Sequence, residues 1–316
     1  MPTDLLNPIF IAKSELEKGN LVAIPTETVY GLAANGLDTS SVIKIFEAKN
    51  RPFFDPLILH TNSIEKIKKL IEFFPENAML LAEKFWPGPM TLLLPKSEIV
   101  PDIVTSGLPN VAVRIPSHPL TLQLLESLEF PLAAPSANPF GYVSPTCAEH
   151  VRAQLGEKVN YILDGGVCEV GIESTIIGFE NDEIVIYRVG GLAVEEVEKL
   201  VGKVKICLNV SSDPKAPGQL KTHYAPRKRL LVGNIENLLM QNNEKKCGII
   251  SFQKKYQNEN NIVLSEQGDL KEAAQKLFSS MRKMDEYDID IILAEKLPDE
   301  FLGRAINDRL ERASVK

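Results

Sequence analysis

Short apolar runs alternate with amphipathic stretches along most of this chain, and this alternation limits the folds open to it. Leu21–Ile24 has the length of a strand, and it follows a helix that ends at Gly19. Ser40 or Ser41 can cap the next helix. Alternating strands and helices are typical of α/β domains, in which helices pack on a sheet. Further strands are predicted at Leu57–His60, Met90–Leu94, Val111–Ile115, Leu132–Ala134, Tyr161–Leu163, Thr175–Phe179 and Ile184–Tyr187, and a further helix at Ala193–Val201.

The chain divides into two unequal parts. With 316 residues it is long enough for two domains. Residues 209–229 contain three prolines, one glycine and little apolar periodicity, which predicts a linker. We therefore predict an α/β domain over residues 1–208 and a smaller, Rossmann-like α/β domain over residues 230–316. In the smaller domain, strands are predicted at Leu230–Val232, Cys247–Phe252, Ile262–Leu264 and Ile289–Leu293, and helices at Leu270–Met284 and Glu300–Glu311.

The composition excludes several classes of protein. The 42 acidic residues outnumber the 35 basic ones and give a formal net charge of −7, whereas proteins that live on nucleic acid are usually basic. No apolar run approaches the roughly 18 residues that a membrane span requires. The N-terminal residues do not resemble a secretory signal peptide. We therefore expect a cytoplasmic protein with no membrane partner and no stable nucleic-acid partner.

Several familiar motifs are missing. The four cysteines form no CxxC pair and the four histidines form no HxxxH pair, so we predict neither a disulfide framework nor a protein metal site. The chain contains no GxxxxGK[ST], no GxGxxG and no GxSxG. A nucleotide, if one binds, must therefore be held by another kind of loop. No covalent nucleophile is indicated.

Hydroxyl groups are concentrated after the first predicted strand, in the segment PTETVYGLAANG, residues 25–36. Thr26, Thr28 and Tyr30 supply the hydroxyls, and Gly31 allows a ligand to approach the backbone. Two interpretations stay open from the sequence. The segment is either a binding loop or a turn whose side chains satisfy one another.

Two cations stand close together in the segment AKNRPFFDPLILH, residues 48–60. Lys49 and Arg51 lie at a predicted helix end, and Pro52 turns the chain there. An ammonium and a guanidinium can together bind a polyphosphate. Alternatively, the two cations merely favour the negative end of the helix dipole.

Two further loops carry polar groups on constrained backbone. APSANPFGYVSPT, residues 134–146, places Ser136, Asn138 and Ser144 among prolines. DGGVCEVGIESTIIGF, residues 164–179, leads through Ser174 into a strand. Together the four segments predict a crevice of cations, hydroxyls and amides, which suits the positioning of substrates and the stabilisation of phosphoryl charge.

The same segments resemble a known family in order and spacing. The matching stretches are PTETVYGL, AKNRPFFDPLILH, WPGPMTLLL, VAVRIPSHP, APSANPFGYVSPT and GIESTII, and they resemble the YrdC family. The resemblance covers Leu21 to about Gly191. It resumes in APGQLKTHYAPRKRL and in FLGRAINDRLERA, which resemble the long, two-domain L-threonylcarbamoyladenylate synthases of that family. The resemblance implies a YrdC-like twisted mixed sheet with flanking helices for the first domain.

The resemblance also implies an activity. Members of the family make threonylcarbamoyl-AMP and pyrophosphate from L-threonine, bicarbonate and ATP with Mg²⁺, as nucleotidyltransferases of tRNA modification. The product would pass to a tRNA threonylcarbamoyl transferase that forms N6-threonylcarbamoyladenosine. Threonine and bicarbonate give a carbamate, whose oxygen attacks the α-phosphorus of ATP. Such chemistry requires cations rather than a nucleophile.

Site residues follow from the resemblance, position by position. The implied catalytic residues are Lys49 and Arg51. The implied ATP site comprises Lys49, Arg51, Asp55, Asn138, Ser144, Arg188 and Tyr224. The implied L-threonine site comprises Thr28, Tyr30, His60, Arg114, Ser136 and Ser174, with the substrate carboxylate near Arg114. No protein metal ligand is implied, because Mg²⁺ would arrive bound to ATP.

The chain departs from the family pattern at two points. Asp55 stands where RPxxNPL usually has asparagine, and a carboxylate there would either bind through magnesium or cap a turn. The RPG step of the family appears here as Arg188-Val189-Gly190, so the proline is lost.

Three questions stay open from the sequence. The linker, residues 209–229, would bring Tyr224 over the nucleotide as a lid, or it is a passive tether. A double-stranded RNA-binding module without catalysis is an alternative function, although the acidic charge argues against it. YrdC domains of hydrogenase maturation proteins are a second alternative, but the cysteine pairs that accompany them are absent. For the C-terminal domain, lid support, oligomerisation and partner docking all remain possible.

Overall fold

A large mixed sheet forms the first part of the protein. The computed structural model describes residues 7–181, 183–208, 217 and 223–315. Within them, the strands of this sheet are β1 (Val22–Ile24), β2 (Gly31–Asn35), β3 (Ile58–His60), β4 (Met90–Pro95), β5 (Asn110–Arg114), β6 (Leu132–Ala133), β7 (Tyr161–Ile162), β8 (Thr175–Glu180), β9 (Glu183–Arg188) and β10 (Lys205–Ile206). Their order is β10-β9-β8-β4-β5-β3-β6-β2-β1-β7, with both parallel and antiparallel neighbours. The predicted fold class is confirmed.

Helices accompany the sheet along the chain. They are α1 (Pro8–Glu17), α2 (Thr39–Lys49), α3 (Ile64–Lys68), α4 (Glu76–Phe85), α5 (Asp102–Thr105), α6 (Pro119–Ser127), α7 (Ala148–Leu155) and α8 (Val194–Val201). The cap of α2 is Asp38, whose carboxylate accepts from the backbone N–H groups of Ser40 and Ser41. The helix therefore begins earlier than predicted, because a carboxylate suits a helix N-terminus well. Among the described helices, none is long and apolar enough to cross a bilayer.

The strands carry several predicted site residues at their ends. His60, Arg114 and Arg188 are the last residues of β3, β5 and β9. The parallel register pairs His60 with Arg114, and the antiparallel register pairs Ile176 of β8 with Arg188. Pairing of this kind fixes distances between side chains on one sheet face. The sheet therefore presents an imidazole and two guanidinium groups in fixed relative positions.

A second, fully parallel sheet forms the rest of the described chain. Its strands are β11 (Arg229–Val232), β12 (Cys247–Ser251), β13 (Asn261–Val263) and β14 (Ile291–Ala294), and its helices are α9 (Ile235–Gln241), α10 (Leu270–Glu286) and α11 (Phe301–Ser314). The strand order is β11-β14-β12-β13. Strands linked through helices are the arrangement expected for a small α/β domain. The sequence predicted every element except α9.

The two parts share one apolar core, in which Ile172 of the first part and Leu277 and Phe278 of α10 are buried together. Arg282 of α10 reaches across and donates to the backbone carbonyls of Val143 and Ser144. Contacts of this kind hold α10 against the loop that contains two predicted ATP-site residues.

The predicted domain boundaries stay a prediction. Most of the predicted linker, residues 209–216 and 218–222, lies outside the described residues. The lid hypothesis for that stretch therefore also stays a prediction. Pro217 and residues 223–229 are described, and residues 223–226, which include His223 and Tyr224, are buried.

A substitution at Gly190, two residues after the end of β9, can test how closely the backbone packs there. A Cβ at Gly190 would collide with the carbonyl oxygen of Glu173 and with the backbone of Ser174. We expect Gly190→Ala to lower the free energy of unfolding by about 1–3 kcal/mol, because backbone atoms must shift. Urea denaturation measures this loss.

Gly233→Ala is the matched control for that experiment. The nearest atom to a Cβ at Gly233 is 3.6 Å away, so we expect a change within about 0.5 kcal/mol. Equal unfolding free energies for the two variants would contradict the packing described for Gly190.

Candidate active site

A cavity lies against one face of the larger sheet. Ile58 and His60, two residues apart on β3, both line it, as alternate residues of a strand can. Eight of the predicted site residues line the cavity: Thr28, Arg51, His60, Arg114, Ser136, Ser174, Arg188 and Tyr224. The fold therefore gathers most of the predicted crevice into one place.

The other five predicted site residues are buried but do not line the cavity. They are Tyr30, Lys49, Asp55, Asn138 and Ser144. Their hydrogen bonds and ion pairs stabilise the loops around the cavity. Direct contact between these five side chains and a substrate stays a prediction.

Arg114 is held between two elements of the cavity wall. Its Nη2 lies 2.6 Å from the Glu27 carboxylate, and its Nη1 donates to the Thr28 hydroxyl at 3.0 Å. The second Glu27 oxygen accepts from the backbone N–H of Ser117 at 3.0 Å. Because the ion pair is buried and each partner forms a further hydrogen bond, the guanidinium plane is fixed in one orientation.

The hydroxyls of the first loop divide between two roles. Thr26 Oγ1 accepts from the backbone N–H groups of Thr28 and Val29 and donates to the Val29 carbonyl at 2.6 Å. Thr26 thus stabilises a turn, as one of the two sequence interpretations held. Thr28 faces Arg114 and the cavity, as the other interpretation held.

His60 is a neutral imidazole with a defined tautomer. Its Nδ1 lies 3.2 Å from the Ile58 carbonyl, and because a carbonyl only accepts, Nδ1 carries the proton. Burial, together with the charge of Arg114, lowers the pKa of His60 from 6.5 to about 3. Nε2 is therefore a hydrogen-bond acceptor beside a cation, and it suits an ammonium, amine or hydroxyl group of a ligand.

Arg188 is buried in the cavity wall with no carboxylate partner among the described residues. Its Nε and Nη2 donate to the carbonyl and the hydroxyl of Ser174 at 3.0 and 3.1 Å. Its Nη1 donates to the Pro217 carbonyl at 3.3 Å. Because Arg188 is only 6% exposed, its charge is poorly solvated, and this burial lowers the pKa of the guanidinium. An anion in the cavity would supply the missing counter-charge.

Arg51 and Asp55 form a buried ion pair. Arg51 Nη2 lies 2.9 Å from the Asp55 carboxylate, and Arg51 Nε and Nη2 also donate to the carbonyls of Asp55 and Pro56. Arg51 lines the cavity, whereas Asp55 has no exposed surface. The structure thus gives Asp55 a role that the sequence had not suggested, as the ion-pair partner that orients Arg51.

Lys49 supports a loop instead of facing the cavity. Its ammonium donates to the carbonyls of Ser136 and Asn138, both at 2.5 Å. Burial and the nearby charge of Arg51 hold the pKa of Lys49 well below its usual value. The direct phosphate contact implied by the resemblance stays a prediction, and Lys49 acts in this structure on the backbone that carries Ser136.

Tyr30 and Asn138 likewise stabilise the surrounding loops. The Tyr30 hydroxyl donates to the Gly166 carbonyl at 2.9 Å and accepts from the backbone N–H of Gly165 at 3.0 Å. Asn138 Nδ2 donates to two carbonyls of its own loop, those of Pro139 and Tyr142. Tyr30 does not line the cavity in this structure, and its contact with L-threonine stays a prediction.

Several residues of the site were not among the predicted site residues, although the segments that contain them were singled out from the sequence. His223 and Glu173 line the cavity, and Glu27 orients Arg114. Arg309 of α11 lies 2.9 Å from Glu173 and under the ring of Tyr224, 5.1 Å from its centroid. The signal for Arg309 was present in FLGRAINDRLERA, but only the fold shows which arginine of that segment pairs with Glu173 in the cavity wall.

The arrangement favours binding of anions without a covalent step. In the described part of the chain, no group of three or more His, Cys, Asp or Glu side chains could hold a metal ion. Burial raises the pKa of the nearby Cys168 thiol to about 12, so this cysteine is not a thiolate at neutral pH. Three guanidinium groups and a neutral imidazole line the cavity. The guanidinium groups can orient anions, and the imidazole can accept a hydrogen bond from a ligand.

Two family models together match most of the chain. The Sua5_yciO_yrdC model, described as "Telomere recombination", matches residues 14–190. The Sua5_C model, described as "Threonylcarbamoyl-AMP synthase, C-terminal domain", matches residues 192–315. The second match begins two residues before helix α8, which precedes β10, the last strand of the larger sheet along the chain.

Individual proteins match over nearly the full length. A threonylcarbamoyl-AMP synthase of Pyrococcus abyssi is 44% identical, with 97% of this chain and 94% of the relative covered. A threonylcarbamoyl-AMP synthase of Bacillus subtilis is 38% identical, with 96% and 92% covered. The crystal structure of P. abyssi Sua5 complexed with L-threonine superposes with a TM-score of 0.93, at 44% identity and over 97% of this chain and 94% of that one.

The protonation state of His60 can be tested by pH titration. Since the pKa of His60 is lowered from 6.5 to about 3, the unfolded chain binds this proton first as the pH falls. We expect the neutral His60 to make its full contribution to the free energy of unfolding above pH 6.5. This contribution should decline as the pH falls from 6.5 to 3.

Heteronuclear NMR of the imidazole nitrogens measures this state directly, with His60→Gln to assign the signal. We expect a neutral ring with the proton on Nδ1 down to pH 5. A titration midpoint between pH 6 and 7 would contradict the buried, neutral imidazole.

Proposed function

The chain belongs to the Sua5/YciO/YrdC family, and from this premise we propose that it is a threonylcarbamoyl-AMP synthase. It joins L-threonine, bicarbonate and ATP, and releases pyrophosphate. The observation that carries the proposal is the cavity in which Arg51, Arg114 and Arg188 surround a neutral His60. A cavity of that kind suits two anionic reactants that must meet without repelling each other.

The reaction needs charge stabilisation more than it needs a nucleophile. The threonine amine and bicarbonate form a carbamate and release water. A carbamate oxygen then bonds to the α-phosphorus of ATP, and the bond to the pyrophosphate leaving group breaks. Charge develops on phosphoryl oxygens in this step, and guanidinium groups held in place before the reaction stabilise it most effectively.

L-Threonine occupies the Arg114 side of the cavity in this proposal. The guanidinium of Arg114, already oriented by Glu27, attracts the substrate carboxylate. His60 Nε2 accepts a hydrogen bond from the amino or hydroxyl group of the substrate. Thr28, Ser136 and Ser174 supply the remaining polar contacts, because their side chains or backbone line the same wall.

ATP occupies the side formed by Arg51, Arg188 and Tyr224. Arg188 lacks a carboxylate partner among the described residues, so a phosphate would relieve its poor solvation. Arg51 presents a guanidinium that Asp55 orients from behind the wall. Lys49, Asn138 and Ser144 support this side through the loop of residues 136–144.

Mg²⁺ fits this site as a companion of ATP. The carboxylates nearest the cavity are engaged, since Asp55 pairs with Arg51, Glu27 with Arg114 and Glu173 with Arg309. A magnesium ion would therefore be held mainly by phosphate oxygens and water, as Mg²⁺ often is. When bound, it would neutralise phosphate charge.

The proposal places the protein at the start of a tRNA modification. Its product is a reactive mixed anhydride, which a tRNA threonylcarbamoyl transferase would consume to form N6-threonylcarbamoyladenosine. We propose that this takes place in the cytoplasm. A role as a double-stranded RNA-binding module is not favoured, because the guanidinium groups of the site are buried and the net charge is −7.

Pyrophosphate release is the direct test of the proposed function. The purified protein is incubated with L-threonine, bicarbonate and ATP with Mg²⁺, and each component is omitted in turn. We expect pyrophosphate only when all components are present, with threonylcarbamoyl-AMP appearing in equal amount. Pyrophosphate release without threonine would contradict the proposal.

Replacement of Arg188 tests the ATP side of the site. Loss of a charge-assisted contact of about 1.5–3 kcal/mol reduces a rate tenfold or more. We therefore expect Arg188→Met to lower kcat/KM for ATP by at least about tenfold. The exposed Arg229 of β11 offers the control, and Arg229→Met should leave kcat/KM unchanged. Wild-type kinetics for Arg188→Met would remove this residue from the site.

Amino acid selectivity tests the threonine side. Serine lacks one methyl group, which is worth roughly 1–3 kcal/mol in a pocket. Valine lacks the hydroxyl group and would leave polar groups of the wall unpaired, so we expect a greater loss with valine than with serine. Initial rates of pyrophosphate release with each amino acid provide the comparison. Equal rates with valine and threonine would contradict the assignment.

A further inference from the structure

A buried arginine of the C-terminal domain reaches the wall of the cavity. Arg309 lies on α11, and its side chain has no exposed surface. Its Nε lies 2.9 Å from Oε2 of Glu173, which belongs to the loop before β8 in the first domain. No other cation of the described residues forms an ion pair with Glu173.

Glu173 places a negative charge on the proposed ATP side of the cavity. It lines the same cavity as Arg51 and Arg188, and its Oε1 accepts a hydrogen bond from the Ser144 hydroxyl at 2.6 Å. A carboxylate is a good acceptor for orienting Ser144. However, its negative charge in a buried site would repel a polyphosphate unless a cation balances it.

Arg309 also contacts the aromatic residue of the wall. Its guanidinium lies 5.1 Å from the ring centroid of Tyr224, within the range of a cation–π contact. Tyr224 stacks on Phe278 of α10 at 5.5 Å, with 28° between the ring planes. One arginine thus contacts both Glu173 and Tyr224, two lining residues from different segments of the chain.

A second arginine of α11 makes a comparable contact between the domains away from the cavity. Arg304 Nη2 lies 3.3 Å from Glu195 of α8, and both side chains are about a quarter exposed. Neither residue lines the cavity. Arg304 therefore forms an ion pair between the domains, as Arg309 does, but neither partner lines the cavity. Its replacement measures the effect of losing an interdomain ion pair alone.

We propose that Arg309 is a positioning residue for the nucleotide: it neutralises Glu173 and fixes Tyr224, so that the C-terminal domain completes the ATP side of the cavity. The inference rests on the proposed function, because it assumes that a polyphosphate binds beside Glu173. It assigns the second domain an electrostatic role in the reaction, beyond its packing against the first.

The test compares the variants Arg309→Met, Arg309→Lys and Arg304→Met in steady-state kinetics. Methionine removes the charge and keeps much of the volume. We expect Arg309→Met to raise KM for ATP by roughly tenfold or more, with KM for L-threonine changed less than about twofold. Arg309→Lys should fall between Arg309→Met and the wild type, because lysine restores the charge without the planar fork. Arg304→Met should leave both KM values unchanged.

A second substitution separates the electrostatic role from a structural one. In the double variant Arg309→Met/Glu173→Gln, the glutamine oxygen can still accept from Ser144, and the carboxylate at position 173 is gone. Asp308, the other carboxylate that pairs with Arg309, keeps its ion pair with Arg312. We expect the double variant to recover most of the lost ATP affinity. If Arg309→Met leaves KM for ATP unchanged, or if Glu173→Gln restores nothing, Arg309 is a packing residue and the proposal is wrong.

Direct binding of a nonhydrolysable ATP analogue keeps this test separate from that of the proposed function. Titration calorimetry on the full chain measures the affinity of each variant whether or not pyrophosphate is released. Loss of affinity in Arg309→Met and its recovery in the double variant would support the inference even if the wild type failed to use threonine. Equal analogue affinity in the wild type and Arg309→Met would overturn it.

Discussion

Three arginine side chains are buried around one cavity, and the groups that balance their charges determine how the surrounding loops are arranged. Arg51, Arg114 and Arg188 are all nearly inaccessible to solvent, and a charge in such a place must be balanced or hydrogen-bonded. Carboxylates balance the first two, and only carbonyls and a hydroxyl contact the third among the described residues. The loops around the cavity are shaped by these contacts, and the resulting positive site is what two anionic reactants require.

The second domain contributes charged side chains that contact the walls of this cavity. Arg282 of α10 holds the loop that contains Ser144, and Arg309 of α11 pairs with Glu173 in the cavity wall. The two domains also share one apolar core. A site divided between two packed domains explains why residues near the C-terminus can matter to a reaction at the larger sheet, although the sequence places them more than a hundred residues away.

Local sequence patterns predicted most of the secondary-structure elements. The remaining elements and the directions of several side chains depend on contacts between residues that are distant in the sequence. Apolar runs such as Met90–Leu94 identify buried strands, because burial alone fixes their composition. β2, Gly31–Asn35, lies within the segment predicted to be a binding loop or a turn, because its small residues lack the usual strand signal and its burial comes from its neighbours. The directions of Lys49 and Tyr30 depend on carbonyl and amide groups more than eighty residues away, which no local pattern reveals. Arg309 was missed for the same reason.

A crystal structure with L-threonine and a nonhydrolysable ATP analogue would show whether the arginine-lined cavity binds both reactants. We expect both ligands in the one cavity, with phosphate oxygens within hydrogen-bond distance of Arg51 and Arg188 and the amino acid between His60 and Arg114. A nucleotide bound elsewhere, for example in the groove between Leu192 and Leu270, or ligands in two separate cavities, would contradict it.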